Sequence, residues 1–339
     1  MIAPNISSGF SPSAAPQARL KIDVLATESA DQIAQEVVNG LTRQPKRLPP
    51  KYFYDDRGSE LFEQITQLPE YYPTRTETAI LQQRADAIAT LTGPCELIEL
   101  GSGSSTKTRI LLDAYQHQGI SLRYLPVDVS GGMLKITAER LLTEYPHLRI
   151  HGIASTYAPA LAALPPQQQP ARMIAFIGST LGNLPPEECA LFLTQVSSAL
   201  STGDYFLLGI DLQKDIATLE AAYNDAQGIT AEFNLNMLHH LNWRFQGNFQ
   251  PQQFRHVAYY NTTDHQIEIY IESLVDQAVH LQGLDLTVDF AAGERLHSEI
   301  SRKFNLQGMA TNLNRFGFNV VKSFTDDNQW FGLLLCVKQ

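Results

Sequence analysis

Glu99-Leu100-Gly101-Ser102-Gly103-Ser104-Ser105-Thr106-Lys107 follows a short apolar run and precedes helical spacing at Ile110, Leu111 and Ala114. Glycines at a strand-to-helix turn let the backbone approach a ligand, and the first helical turn offers amide donors that have no partner inside the helix. Gly101 and Gly103 are therefore placed to hold a small molecule carrying a ribose or a carboxylate. The dinucleotide fingerprint would open this helix with a third glycine against a pyrophosphate; Thr106 stands there instead, which favours S-adenosylmethionine over NAD. Asp128 ends the next apolar run about 27 residues after Gly101, near the distance at which such folds set a carboxylate on ribose hydroxyls. The plainer reading is that Gly-Ser-Gly is a turn and Asp128 a helix cap. Loop and acid occurring together, in register with five strands, weigh against it.

A second loop, Gly178-Ser179-Thr180-Leu181-Gly182-Asn183, follows another apolar run where open α/β sheets bind ligands. Its two glycines serve a tight turn equally well, but an amide side chain at the end of a strand suits a substrate held beside a cofactor. His239 and His240 are adjacent, so on a helix they point apart, and no carboxylate has the spacing for a metal; packing or surface roles are expected. Trp243 and Trp330 read as core or interface residues.

The elements that must position these residues are strands alternating with helices, which predicts a parallel sheet built from βαβ units. Strands are expected at Glu96–Leu100, Arg123–Val127, His147–Ile153, Met173–Ile177 and Tyr205–Ile210, with a helix over Pro185–Leu200 opened by Pro-Pro-Glu-Glu and followed by Gly203. Val320–Val337 holds two apolar runs around Thr325-Asp326-Asp327-Asn328, an antiparallel hairpin. From Asp211 to Ser301 the alternation stops and Asn, Gln and His become frequent, so an inserted α+β domain is expected, joined in space by residues 21–75. The division is thus 76–211 with 302–339 for the cofactor, 21–75 with 212–301 for the substrate, and a flexible tail over 1–20.

Composition narrows the function classes. The 339 residues are 44% hydrophobic and 18% charged, with a formal net charge of −10. Such a chain buries an ordinary core, lacks the clustered cations that neutralise nucleic-acid phosphates, and is expected to act on a small molecule as a monomer. Three scattered cysteines suit reduced core thiols; no metal site is expected. The N-terminus lacks a signal peptide's basic start and apolar block, and no run of 18 apolar residues occurs, so the location expected is cytoplasmic, away from membranes.

Six stretches, in order, carry a closer resemblance: Lys51-Tyr52-Phe53-Tyr54-Asp55-Asp56-Arg57-Gly58-Ser59-Glu60-Leu61-Phe62, Leu68-Pro69-Glu70-Tyr71-Tyr72-Pro73-Thr74-Arg75, ELGSGSSTKTR, PVDVS, FIGSTLGN and VDFAAGE. The chain resembles the histidine N-alpha-methyltransferases of ergothioneine biosynthesis over nearly everything after about residue 25. That resemblance implies a Rossmann-like class I methyltransferase sheet and trimethylation of the α-amine of L-histidine by S-adenosylmethionine, giving hercynine. Carried over motif by motif, it implies that Gly101 and Lys107 meet the methionine end of the cofactor, Asp128 the ribose and Thr156 the adenine, with Gly103 and Tyr157 also among the cofactor-binding residues. Tyr54, Phe62 and Gly178 would surround the reaction centre. Tyr71, Asn183 and Tyr223 would hold the α-amine and carboxylate, and Glu299, Ser301 and Ile269 the imidazole. Two positions depart from the family pattern: Thr156 stands where an acidic residue meets adenine, and Ile269 where a Met lines the ring.

Methyl transfer from a sulfonium is an in-line displacement that needs a neutral amine, so positioning is the protein's main task. Dry aromatic surroundings from Tyr54, Phe62 and Tyr71 would lower the amine pKa and stabilise the cationic product. Glu299 and Ser301, two apart, would point to one side of an extended chain. The competing readings are an N-methyltransferase of another amino acid such as tyrosine or a tryptophan derivative, a non-catalytic S-adenosylmethionine-binding regulator, and an NAD-dependent oxidoreductase. Glu299 with Ser301 argues against the first, Tyr71, Asn183 and Tyr223 against the second, and Thr106 against the third.

Overall fold

The computed structural model describes residues 19–25 and 29–339. In chain order its elements are β1 (Leu20–Val24), α1 (Ala30–Thr42), α2 (Asp56–Gln67), α3 (Tyr72–Thr92), β2 (Cys95–Leu100), α4 (Thr106–His117), β3 (Arg123–Asp128), α5 (Gly131–Glu144), β4 (Arg149–Ala154), α6 (Tyr157–Ala162), β5 (Ala171–Phe176), α7 (Pro186–Ala199) and β6 (Tyr205–Asp211). There follow α8 (Ile216–Ala221), α9 (Ile229–Phe245), β7 (Phe254–Asn261), β8 (Gln266–Ser273), β9 (Gln277–Leu281), β10 (Leu286–Phe290), β11 (Arg295–Arg302), α10 (Leu306–Asn314), β12 (Phe318–Thr325) and β13 (Phe331–Lys338).

The chain forms two compact units, residues up to Leu25 with Asp86–Ile174, and Ala26–Ala85 with Ala175–Gln339, so that α3 and β5 are each divided. In the first unit the strand order is β1-β4-β3-β2-β5, and β1, β4, β3 and β2 pair in parallel. Parallel neighbours need long crossovers, which here are helices, and a sheet covered on both faces reads as unbroken apolar runs. Cys95-Glu96-Leu97-Ile98-Glu99-Leu100 is buried at every position, although Glu96 and Glu99 interrupt its apolar run. Parallel pairing also brings the carboxyl ends of β2, β3 and β4 to one edge, and with them Gly101, Asp128 and Thr156. Near the other end of β2, buried Glu96 accepts from Arg123 at 2.6 Å and Arg172 at 2.9 Å.

In the second unit β6, β13 and β12 follow one another in antiparallel pairing, which is the C-terminal hairpin expected from the sequence. A three-stranded antiparallel sheet, β11-β8-β7, and the β9–β10 hairpin complete its strands. Its core joins Val37 and Leu41 of α1, Leu61 of α2, Phe233, Met237 and Leu241 of α9, and Phe254 and Phe290 of the strands.

The five central strands, the helix before β6 and the hairpin lie where the sequence puts them, and the fold is α/β with a mostly parallel sheet. These units differ from the expected division into 76–211 with 302–339 and 21–75 with 212–301. Residues 20–24 form β1 beside β4 because their backbone completes a parallel edge. The expected tail lies outside the described residues up to 18, but Arg19 is tied down, donating to the carbonyls of Leu142, Tyr145, Pro146 and Leu148. Trp243 is a correction: it is 76% exposed, on the face of α9 turned from the core. Cys95, Cys189 and Cys336 are buried and in no disulfide. Among the described residues no helix is long and apolar enough to cross a membrane.

Candidate functional site

In the first unit, β2 ends in a turn whose backbone only small residues tolerate. Gly101 takes φ 75° and Gly103 φ 47°, and Ser105 is also left-handed at 52° before Thr106 starts α4. A Cβ on Gly101 would lie 2.9 Å from the Tyr157 hydroxyl, so glycine is required for space as well as for φ. At Gly103 nothing lies within 4 Å of that direction, which leaves the turn open on that side. Asp128 holds the loop from the next strand: one carboxylate oxygen accepts the Gly103 amide at 2.9 Å and the other the Ser130 amide at 3.0 Å. Each oxygen keeps a second lone-pair direction for a ligand.

Thr156 is the exposed N-cap of α6, and its side chain makes no capping bond. Tyr157 is held as a neutral phenol, its pKa raised by burial first and then by Asp128. Beneath the loop, Glu99 accepts from Thr108 Oγ1 at 2.5 Å and from the Tyr124 hydroxyl. Burial pushes its pKa up to about 7, against those two hydrogen bonds and the nearby charge of Lys107. The hydroxyls of Ser102 and Ser155 are buried without a hydrogen-bond partner. Orphaned hydroxyls beside an open glycine turn and a strand-end carboxylate fit a polar ligand with a ribose and an amino-acid end. All the residues expected at the cofactor, Gly101, Gly103, Lys107, Asp128, Thr156 and Tyr157, belong to this unit.

The second unit gathers the residues expected at the substrate. Across the β11–β8 ladder Leu296 pairs with Ile271, Glu299 with Ile269 and Ser301 with Ile267, the register shifting between His297 and Glu299. Ser298 is the extra residue of a bulge. Cross-strand partners share a face, so the bulge turns Glu299 and Ser301 toward the face of Ile267 and Ile269. Without it Ser298 and Ile300 would occupy that face.

Asn183, in the short 3-10 turn Thr180–Asn183, donates to Glu299 Oε1 at 3.0 Å. Gly182 makes that approach possible, since a Cβ there would lie 2.7 Å from the Arg302 carbonyl oxygen. Upstream, Gly178 has φ 87° and its amide donates to both oxygens of buried Glu77, at 2.8 and 2.9 Å. The Glu299 carboxyl keeps some exposed surface but sits among apolar and aromatic groups, which pushes its pKa up to about 8 against the pull of Lys303.

An aromatic wall runs beside it: Tyr54 to Phe62 at 5.9 Å, Phe62 to Tyr71 at 6.5 Å, Tyr71 to Tyr223 at 6.2 Å, each edge to face. Tyr54 is 46% exposed, so the wall is wetter at that end than the sequence suggests. Burial raises the Tyr71 pKa well above its ordinary value, with Tyr223 and Tyr54 adding to it, so Tyr71 stays a phenol.

Beyond the wall, Tyr223 OH and Ser301 Oγ lie 2.8 Å apart, and Lys303 Nζ donates to both, at 2.8 and 2.9 Å. Lys303 also pairs with Asp211, whose carboxylate accepts from Tyr72 and Lys214. Glu77, Asp211 and Lys303 were not singled out from the sequence. Asp211 carried a signal, an acid ending a strand as Asp128 does, and Lys303 another, two residues beyond Ser301 in an extended run. His240 packs against Tyr52 with its ring nitrogen 3.0 Å from that residue's carbonyl, and His239 is exposed.

A parallel sheet that turns on glycine into a helix, with a carboxylate from the adjoining strand end bracing the turn, defines the class: an S-adenosylmethionine-dependent methyltransferase of the Rossmann-like type. More narrowly, residues 33–338 match the model of the family described as histidine-specific methyltransferase, SAM-dependent, and the chain belongs to that family. It is 42% identical over 313 residues to a histidine N-alpha-methyltransferase of Mycobacterium tuberculosis, covering 92% of this chain and 97% of that one. Identity is also 42%, with the same coverage, to a histidine N-alpha-methyltransferase of Mycolicibacterium smegmatis. An ergothioneine biosynthesis protein 1 of Neurospora crassa is 34% identical over 236 residues, 65% of this chain and 27% of that much longer one. Among solved structures, a Burkholderia thailandensis 1,6-didemethyltoxoflavin-N1-methyltransferase aligns over 99% of this chain at 12% identity and a TM-score of 0.41.

Proposed function

We propose that the enzyme trimethylates the α-amino group of L-histidine to give hercynine, the opening step of ergothioneine biosynthesis. The observation that carries this reading is the desolvated carboxyl of Glu299 beside the Ser301 hydroxyl on one strand face, with apolar Ile269 opposite. An acid and a hydroxyl match the two nitrogens of an imidazole, and the isoleucine supplies a flat apolar wall. A ring without nitrogen would leave that buried acid unpaired, at about 1 to 3 kcal/mol. The names of the mycobacterial and fungal relatives support the same substrate and pathway.

S-adenosylmethionine, when bound, supplies an electrophilic methyl on a sulfonium. Gly101, Gly103 and Lys107 would hold its methionine end, Asp128 its ribose, Thr156 and Tyr157 its adenine; the threonine hydroxyl can accept from the adenine amino group. The rest falls to residues that hold the amino acid. Tyr71, Asn183 and Tyr223 would fix the α-amine and carboxylate, and Gly178, having no side chain, would face the amine. Tyr71 remains a phenol, so it orients the amine and the amine's proton passes to solvent. Tyr54, Phe62 and Tyr71 disfavour the ammonium form and receive the fixed cation of the product, at about 0.5 to 2 kcal/mol. The chain is read as a cytoplasmic monomer, its buried thiols suited to a reducing compartment.

The test is purified protein with S-adenosylmethionine and a panel of amino acids, the products weighed by mass spectrometry. Three added methyl groups on histidine alone are expected. One or two only would remove trimethylation, and a tyrosine or tryptophan product would move the enzyme to the other amino-acid class.

A further inference from the structure

Lys303 follows Ser301 by two residues and its side chain is wholly buried. A buried ammonium is costly unless all three donors are used. Here they are: Asp211 Oδ2 at 2.9 Å, Tyr223 OH at 2.8 Å and Ser301 Oγ at 2.9 Å. Asp211 does not need Lys303 for neutrality, because Lys214 lies 2.6 Å from its other oxygen and the Tyr72 hydroxyl also donates to it. What Lys303 adds is a donor to each of two hydroxyls that lie 2.8 Å from one another.

Each hydroxyl has one proton and two acceptor directions. Lys303 takes one acceptor direction on each oxygen, and the bond between them uses one proton and one further acceptor direction. One outward donor and one outward acceptor are left, on different oxygens. We propose that Lys303 is a positioning residue that polarises the Tyr223–Ser301 pair, so that it meets an amino-acid substrate with a proton on Tyr223 for the carboxylate and a lone pair on Ser301 for a ring N–H.

The proposal rests on the reading of Tyr223 and Ser301 as substrate contacts. If Ser301 donates to Tyr223, the tyrosine oxygen accepts from Lys303 and Ser301 and its own proton points outward. The remaining lone pair of Ser301 then points outward too. In the reverse order the proton would face outward from Ser301 and the lone pair from Tyr223, so the substrate's carboxylate and ring N–H select the first order; without the ammonium each oxygen regains an acceptor direction, and Tyr223 can turn a lone pair toward the carboxylate. Asp211 acts one step further back, by fixing Lys303.

The test is a double-mutant cycle on the intact enzyme. Lys303→Met in the wild-type background is expected to raise the KM for histidine about tenfold or more while kcat and S-adenosylhomocysteine affinity change less than about threefold. Placed on Tyr223→Phe with Ser301→Ala, the same change is expected to lower kcat/KM by less than about twofold further, because the groups it acts through are gone. A wild-type KM for Lys303→Met, or an equal loss in both backgrounds, overturns the proposal. Should Lys303→Met not accumulate as folded protein, Lys303→Gln is read through the same cycle. Histidine turnover by the wild type is measured separately. If the wild type ignores histidine, the substrate reading falls, and the cycle run on the amino acid it does methylate still decides whether Lys303 works through the two hydroxyls.

Discussion

Glu299 carries a proton in the folded enzyme at pH values where the unfolded chain has lost it. Its pKa is pushed up to about 8 by desolvation, against 4.5 for an ordinary Glu side chain. Between those values the native state binds more protons than the unfolded state, so stability falls as pH rises, by at most about 1.4 kcal/mol per unit for this one group. Below 4.5 both states are protonated and the group is neutral in effect; above 8 the penalty is complete. Glu299→Gln keeps shape and hydrogen bonding without the titration. Its melting temperature relative to wild type, without substrate, is expected to climb from pH 5 to 8 and then level off. Parallel curves for the two proteins would mean that Glu299 is ionised throughout. The companion expectation concerns binding: Glu299→Ala with Ser301→Ala loses histidine turnover while S-adenosylhomocysteine affinity stays within about twofold, since the cofactor residues belong to a different unit.

What brings Glu299 and Ser301 to the face of Ile267 and Ile269 is an element property, the Ser298 bulge. Deleting Ser298 closes a regular ladder with Glu299 still opposite Ile269 and Ser301 still opposite Ile267, so folded protein that binds S-adenosylhomocysteine should keep histidine turnover; its loss would mean that the bulge does more than set the register. Gly182→Ala tests the neighbouring turn. Its methyl would press on the Arg302 carbonyl, at a cost of about 1 to 3 kcal/mol, and lift Asn183 from Glu299. A several-fold higher KM for histidine and a lower melting temperature are expected; an unchanged KM would mean that the turn yields without moving Asn183.

Elements were legible where burial on both faces wrote continuous apolar runs, as in Met173–Ile177 and Tyr205–Ile210. β8 was legible in principle, because Ile267, Ile269 and Ile271 alternate with Glu268, Tyr270 and Glu272, but the polar residues around it hide that period. The bulge was not legible. Nothing in His297-Ser298-Glu299 says which residue will be squeezed out of register, since that is fixed by the partner strand. Glu77 and Lys303 are similar cases, ordinary charged residues whose surroundings come from segments about 100 and 80 residues away in sequence.

At the scale of the whole chain, the residues expected at the cofactor all fall in the unit built around β2, β3 and β4, and those expected at the substrate all fall in the other. The sequence drew this division at different boundaries, because a composition change marks where apolar alternation ends and not where the chain is most compact. Gly178 and Asn183, which the expected division left with the cofactor part, lie in the second unit, and the expected roles then predict where each ligand slows amide hydrogen exchange. A ligand at 100 times its dissociation constant stabilises what it binds by about 2.7 kcal/mol, enough to lengthen exchange through local opening roughly a hundredfold. S-adenosylhomocysteine alone should protect 100–107, 128–133 and 155–160, where the glycine turn, Asp128 and the α6 cap lie. Histidine added on top should extend protection to 54–71, 178–184 and 296–303, where the aromatic wall, the Asn183 turn and the bulged strand lie. If histidine instead protects only the first set, Glu299 and Ser301 are not its contacts, whatever their geometry suggests.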